Sequence, residues 1–198
     1  MRSNLVSLIV GRRYTGKSTL CKKMALWYAE KTKKRVLIID VNGAEVYDDL
    51  QHLSENQFKT WCNDDANEYS KVACFYLSDE DYMMEIISQN FKNGAVFFED
   101  CTKYIEAKPK KIVKKFLVDC RMWNADLFFT FHSLISVPIF YWTMTNKVFL
   151  LRTNDILEKK DNFFIRRIPN YMAIKEGMLK LRKDKAEYPD PIVVDTDI

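Results

Sequence analysis

Residues Leu5 to Ser18 read L-V-S-L-I-V-G-R-R-Y-T-G-K-S, and this stretch decides the fold. It opens with an apolar run that stops at a glycine, as a strand buried on both faces does. Gly11 to Ser18 then fits the pattern G-x-x-x-x-G-K-[ST]. Lys17 to Thr32 reads as a helix, with Leu20, Met24, Ala25, Trp27 and Tyr28 on its apolar side and Lys22, Lys23, Glu30 and Lys31 toward water. Chance can produce the pattern; the buried strand before it and the helix after it make it a phosphate cradle.

The physical logic of the loop is direct. Gly11 and Gly16 permit backbone angles and close approaches that a side chain blocks. The loop N–H groups turn inward, aided by the positive end of the helix, and hold the β-phosphate of a nucleoside triphosphate. Lys17 reaches the β- and γ-phosphates, and the Ser18 hydroxyl ligates Mg²⁺. The expected nucleotide-binding set is therefore Gly11, Arg12, Arg13, Tyr14, Thr15, Gly16, Lys17, Ser18 and Thr19.

Outward from the loop the chain alternates strands and helices. Further buried strands are expected at Arg35–Asp40, Lys71–Leu77, Ala95–Asp100, Ala125–Phe131 and Lys147–Arg152. A helix capped by Ser78 should run to about Phe91, and another from about Lys108, with Pro109 at its start, to Trp123. Val41–Ser70 is polar and mixed, and reads as loop and short helix. The alternation implies an α/β fold with a parallel sheet covered on both faces. The expected organisation is one domain, with a core over 1–153 and a basic helical or hairpin extension over 154–198 that ends in a short strand at Ile192–Val194.

Two acids close the fourth strand, A-V-F-F-E-D, in the manner of a Walker B strand. Glu99 is expected to hold the Mg²⁺ shell, partly through water, and Asp100 to orient an attacking water, though the two roles could be exchanged. Asp40, at the end of another strand, is a second possible Mg²⁺ partner.

Four stretches together resemble a known family: G-R-R-Y-T-G-K-S, R-V-L-I-I-D-V-N-G-A-E-V-Y, A-V-F-F-E-D and C-R-M-W-N-A-D-L-F-F-T-F-H-S. They resemble the additional-strand P-loop ATPases, and within those the HerA–FtsK group of DNA-pumping motors. The resemblance implies a RecA-like fold, Mg²⁺-dependent ATP hydrolysis and assembly into a homo-oligomeric ring on DNA. It places Arg121 as an arginine finger given to the neighbouring subunit. It places His132 as the polar sensor of the γ-phosphate, where the family more often has Gln. Asp100 stands where the family usually has Glu. The size is similar to the genome-packaging ATPases of tailless phages and archaeal viruses, with viral capsid or vertex proteins as further partners. The ATPase core of zonula-occludens-toxin-like phage assembly proteins is also similar.

Composition narrows the field. With 47% hydrophobic and 29% charged residues the chain is globular material, not a disordered one. Its net charge of +4 suits a nucleic-acid partner without requiring one. Lys103 with Lys108, Lys110, Lys111, Lys114 and Lys115 is one candidate DNA-facing run. Arg166, Arg167, Lys180, Arg182, Lys183 and Lys185 form another. The five cysteines form no C-x-x-C pair and read as reduced thiols. No apolar run has the length of a membrane span, and a cytoplasmic protein (or a virion-associated one) is expected. The alternatives are a small-molecule kinase, for which no arginine-rich lid is visible, and a nucleotide-gated assembly protein with slow turnover.

Overall fold

The computed structural model describes residues 5–63, 70–103, 117–157 and 168–196. Eight strands form one sheet: β1 (Val6–Val10), β2 (Arg35–Ile39), β3 (Gln51–Leu53), β4 (Val72–Phe75), β5 (Gly94–Phe98), β6 (Asp126–Phe131), β7 (Lys147–Leu150) and β8 (Ile192–Asp195). Their order is β3-β4-β2-β5-β6-β1-β7-β8. Every pairing is parallel except β7 with β8, which is antiparallel. Helices described from end to end are α1 (Lys17–Thr32), α2 (Glu55–Cys62), α3 (Glu80–Asn90), α4 (Ile139–Trp142) and α5 (Tyr171–Lys183), and residues 117–119 are helical as well.

The strands β1, β2, β4, β5 and β6 are buried almost throughout because both faces of the sheet are covered. Successive residues point to opposite faces, so the core divides in two. One part joins Ile9, Val36, Ile38, Phe97 and Phe128 to Cys21, Ala25 and Tyr28 of α1. The other joins Leu8, Leu37, Phe98 and Phe129 to Phe58 and Trp61 of α2, Met83 and Ile87 of α3, and Ile174 and Met178 of α5. Phenylalanines stack across β5 and β6 on both faces. Phe97 and Phe128 lie 4.2 Å apart, and Phe98 and Phe129 lie 4.7 Å apart.

Three local expectations change. In α1 the buried residues are Lys17, Cys21, Ala25, Tyr28 and Ala29, while Trp27 is 60% exposed. Small side chains let the helix lie close on the sheet, which rotates the bulky Trp27 outward. In α3 the cap is Asp79 and not Ser78: the Asp79 carboxylate accepts from the Tyr82 N–H at 3.0 Å. The region read as loop and short helix also contains the edge strand β3 beside β4.

Of the expected Lys108–Trp123 helix, residues 108–116, with the basic run, lie outside the described residues, as do Phe163, Phe164, Arg166 and Arg167. All five cysteines are free, and all but Cys62 are buried. Among the described residues no helix is long and apolar enough to cross a membrane.

A buried acid holds the lower end of the sheet together. Asp126, 4% exposed, accepts from the Leu5 N–H at 2.9 Å and from the Tyr28 hydroxyl at 2.7 Å, tying β6 to the start of β1 and to α1. Hydrogen bonds to a buried charge are stronger than neutral ones. Tyr28→Phe is expected to lower unfolding free energy by about 2 kcal/mol, read by urea denaturation; a midpoint equal to that of the wild type would show that this contact is dispensable.

Candidate active site

Parallel strands deliver their C-terminal ends to one edge, where an open α/β sheet places its ligand crevice. Here that edge collects the turns after β1, β2, β5, β6 and β7. The turn after β1 is fastened at its root: the Gly11 N–H donates to Phe131 O at 3.1 Å and the Arg12 N–H to Arg152 O at 2.7 Å. A Cβ on Gly11 would come within 2.7 Å of both Leu151 Cβ and Thr15 Oγ1, so the loop passes too close to its neighbours for any side chain there. Gly16 takes a φ of +82, and the Leu20 N–H donates to its carbonyl at 2.8 Å to begin α1. Tyr14 also has positive φ and leaves its ring 94% exposed. The Thr15 hydroxyl donates to Arg12 O at 2.8 Å and closes the curve.

Lys17 lies inside that curve, 8% exposed. Its ammonium has three donors and meets three acceptors: Gly11 O at 2.8 Å, Arg12 O at 3.0 Å and His132 Nδ1 at 3.0 Å. Burial pushes its pKa below the ordinary 10.5, and the Glu99 and Asp100 carboxylates pull it back up.

His132 bridges the lysine to Asp100, with Nε2 3.0 Å from Asp100 Oδ1. An ammonium only donates and a carboxylate only accepts, so Nδ1 is the acceptor and Nε2 carries the proton of a neutral ring. The His132 pKa falls below 6.5 because burial disfavours the imidazolium and Lys17 repels it, Asp100 acting in the opposite sense.

The two acids follow β5 directly. Glu99, 4% exposed, sits beside the start of α1: the Ser18 hydroxyl donates to Oε2 at 3.3 Å, and the Tyr47 hydroxyl donates to Oε1 at 2.6 Å. Burial raises the Glu99 pKa, and the bonds from Tyr47, Cys21 and Ser18, with the charge of Lys17, hold it back. Asp100 takes a left-handed φ of 46, which its N–H supports by donating to Thr130 Oγ1 at 2.7 Å. Its carboxylate also accepts from the Thr102 hydroxyl at 2.6 Å and from Asn42 Nδ2 at 3.3 Å.

Of the residues expected at the site, Arg13 to Thr19, Glu99, Asp100 and His132 line one cavity of about 1030 Å³. Gly11 is at the root of the loop. Arg12 turns aside, with Nη1 3.3 Å from Asn154 Oδ1, into a neighbouring cavity with Arg152 and Arg182. Asp40 follows β2 at the same edge, next to the strand that carries Glu99, but does not line the cavity: its oxygens accept from the Asn42 and Ala44 N–H groups at 3.2 and 2.8 Å and brace the turn after β2. Arg121 is exposed, in the turn 120–124 that leads into β6 and not on a helix. That turn is at the opposite edge of the sheet from Lys17, about 20 Å away at the usual rise of a strand.

Four further parts of the site carry no motif: Tyr47 and Thr130, which hold the acids, and Asn42 and the segment Tyr188–Pro191, which line the cavity. The pairing of two prolines around Asp190 was a usable sign of a fixed turn.

Hard oxygen donors from Ser18 and Glu99, side by side at the lysine, fit a magnesium ion that keeps most of its water. Among the described residues no group of three or more His, Cys, Asp and Glu forms a closed metal cage.

The mostly parallel sheet, its flanking helices and the loop after β1 have the RecA-like architecture of P-loop NTPases. No protein-family model and no curated protein sequence matches the chain. Solved structures do match. The genome packaging NTPase B204 from Sulfolobus turreted icosahedral virus 2, in complex with ATPγS, aligns with a TM-score of 0.71 at 14% identity, over 100% of this chain and 94% of that one. B204, the DNA-packaging ATPase from Sulfolobus turreted icosahedral virus, gives 0.69 at 14% identity over 100% and 95%. VirB4 of Thermoanaerobacter pseudethanolicus gives 0.61 at 10% identity over 100% and 88%. At such identities the likeness is one of fold.

A group whose folded pKa is depressed stabilises the fold fully above its unfolded pKa, and this is lost as pH falls through the folded value. For His132 the stabilisation is therefore complete above 6.5 and fades on acidification. Denaturant titrations of the wild type and His132→Gln on both sides of that pH should show the wild type's relative advantage shrinking toward acid. A gap independent of pH would contradict the neutral, bridging imidazole.

Proposed function

We propose that this chain is a Mg²⁺-dependent ATPase that works as a homo-oligomeric ring to drive DNA, in the manner of a viral genome-packaging motor. The observation that carries the reading is the convergence of Lys17, Ser18, Glu99, Asp100 and His132 on one glycine-bounded loop.

The loop amides and Lys17 hold the phosphates. To do so the lysine exchanges Gly11 O, Arg12 O and His132 Nδ1 for phosphate oxygens, and its burial strengthens the new contacts. Ser18 and Glu99 would hold magnesium, which would supply positive charge to offset the charge that develops on the phosphate oxygens. Asp100, kept in place by Thr130 and Thr102, orients the attacking water. His132, released by the lysine, keeps Nε2–H on Asp100 and leaves Nδ1 free to accept a hydrogen bond from water beside the γ-phosphate, so that water and acid are linked through one ring.

Arg121 cannot reach its own site and is solvent-exposed, as a finger for another copy must be. The exposed Trp27 and Met122 offer apolar surface for such a neighbour. The likeness over the whole of this chain to NTPases that package viral genomes supports DNA as the polymer; capsid or vertex proteins as docking partners, in the host cytoplasm or on the virion, are part of the proposal. Lys180, Lys183 and Lys185 are exposed and form one described basic group available to phosphates, while the Arg182 guanidinium donates to Asp155 O. One observation favours a nucleotide-gated protein with slow turnover: the Asp100 carboxylate already has three partners, which leaves it little freedom as a base.

Steady-state ATP hydrolysis across protein concentration, with and without duplex DNA, tests the reading. Turnover per chain should rise with concentration and with DNA, vanish in Lys17→Ala with ATP binding weakened, and fall about 10³-fold in Arg121→Ala with ATP binding kept. Normal hydrolysis in Arg121→Ala would end the shared-site mechanism. Tight ATP binding with flat, slow turnover throughout would favour the gated protein.

A further inference from the structure

The loop and the acids account for one end of the 1030 Å³ cavity. It is also walled by Leu20, Leu151 and the segment Tyr188-Pro189-Asp190-Pro191, which carry none of that chemistry. We infer that this segment is the base wall of the site, with the Tyr188 ring as the face on which a nucleobase stacks. The inference rests on the reading of the cavity as a nucleoside triphosphate site and deepens it.

The chemistry of the wall is that of a flat, apolar ligand. Tyr188, two prolines and two leucines present planar and aliphatic surface beside a phosphate cradle. The Tyr188 ring lies close to the loop, with Cδ1 3.8 Å from where a Gly16 Cβ would sit, yet 63% of the residue is exposed. A large ring held against the site with most of its surface uncovered is what a stacking partner completes. Asp190 adds an acceptor at the same end, suited to an exocyclic amine of a base.

The wall is also held in place before any ligand arrives. The Arg152 guanidinium donates to four carbonyls that lead up to it: Leu181 at 3.2 Å, Asp184 at 2.6 Å, Ala186 at 2.6 Å and Glu187 at 3.3 Å. Immediately after Pro191 the chain enters β8, whose Ile192 pairs with Leu150 of β7. Both ends of Tyr188–Pro191 are therefore fastened to β7 and the residues just beyond it, next to the strand that carries the phosphate loop. Such pre-ordering lowers the entropy lost on binding. It also gives the C-terminal part of the chain a role in choosing the ligand: stacking favours a nucleoside triphosphate over phosphate chains with no base.

Inorganic tripolyphosphate carries the phosphates without the base, so it separates the two ends of the cavity. Binding of ATP and of tripolyphosphate, each with magnesium, is measured by calorimetry for the wild type, Tyr188→Ala and Tyr188→Phe. The wild type should prefer ATP. Tyr188→Ala should weaken ATP by about tenfold or more, the scale of a lost base–aromatic stack, and leave tripolyphosphate unchanged; Tyr188→Phe should keep ATP affinity. Equal losses for both ligands in Tyr188→Ala, or no loss for either, would overturn the base wall. So would a wild type that binds both ligands equally, with the phosphate site left standing. A wild type that binds neither would overturn the base wall together with the nucleotide reading itself.

Discussion

A lysine ammonium inside a turn of backbone must find an acceptor for each of its three protons, and Lys17 finds them in two loop carbonyls and one imidazole. Much of the molecule serves that arrangement. Gly11 and Gly16 allow the loop to wrap the ammonium, and the ends of β6 and β7 fasten the loop's root. The imidazole that accepts the third proton is fixed by Asp100, and Asp100 is fixed by Thr130 on the strand that leads into His132. Without phosphate, the lysine locks the loop from inside. On the proposed function, phosphate would take the same three donors, the change would pass to His132 and Asp100, and binding and chemistry would be coupled through one side chain.

The strand order makes this possible. β1 lies between β6 and β7, and β5 lies next to β6, so the phosphate loop, the acids and the histidine come from neighbouring strand ends. The chain then returns at its C-terminal end as an antiparallel strand on β7, which brings Tyr188–Pro191 over the loop. Arg152 is the joint between these parts: its carbonyl receives the Arg12 N–H and its guanidinium gathers the carbonyls of the returning segment.

Much of this was legible in the sequence, for physical reasons that also explain the failures. A strand buried on both faces is a continuous apolar run, so β1, β2, β4, β5, β6 and β7 were readable to within a few residues, and α1 matched at both ends. Its inward face was misread because Cys21, Ala25 and Ala29 are small, and close packing on a sheet rewards small residues over Trp27. The edge strand β3 is three residues of mixed polarity and carries no periodic signal. The loop, Glu99, Asp100 and His132 announced themselves by residue type and position, whereas the partners that orient them, Tyr47, Thr130 and Asn42, act through geometry that no spacing records. The same holds for Arg152, whose acceptors are backbone carbonyls, and for Tyr188, which the fold carries to the site from far along the chain. Asp40 shows how the fold can give an acid at a strand end a further task, since its oxygens brace the turn after β2.

The coupling of Lys17 to His132 can be observed directly. His132 is one of two histidines, the other being His52, so ring ¹⁵N signals can be assigned with a single substitution. The protein without nucleotide should show a neutral His132 ring protonated at Nε2, with Nδ1 hydrogen-bonded. Addition of a non-hydrolysable ATP analogue with magnesium should move the Nδ1 resonance of His132 as Lys17 leaves for the phosphates, while His52, bonded to the Tyr47 carbonyl, stays in place. Signals from both rings that do not move across the whole titration would contradict the account at its centre.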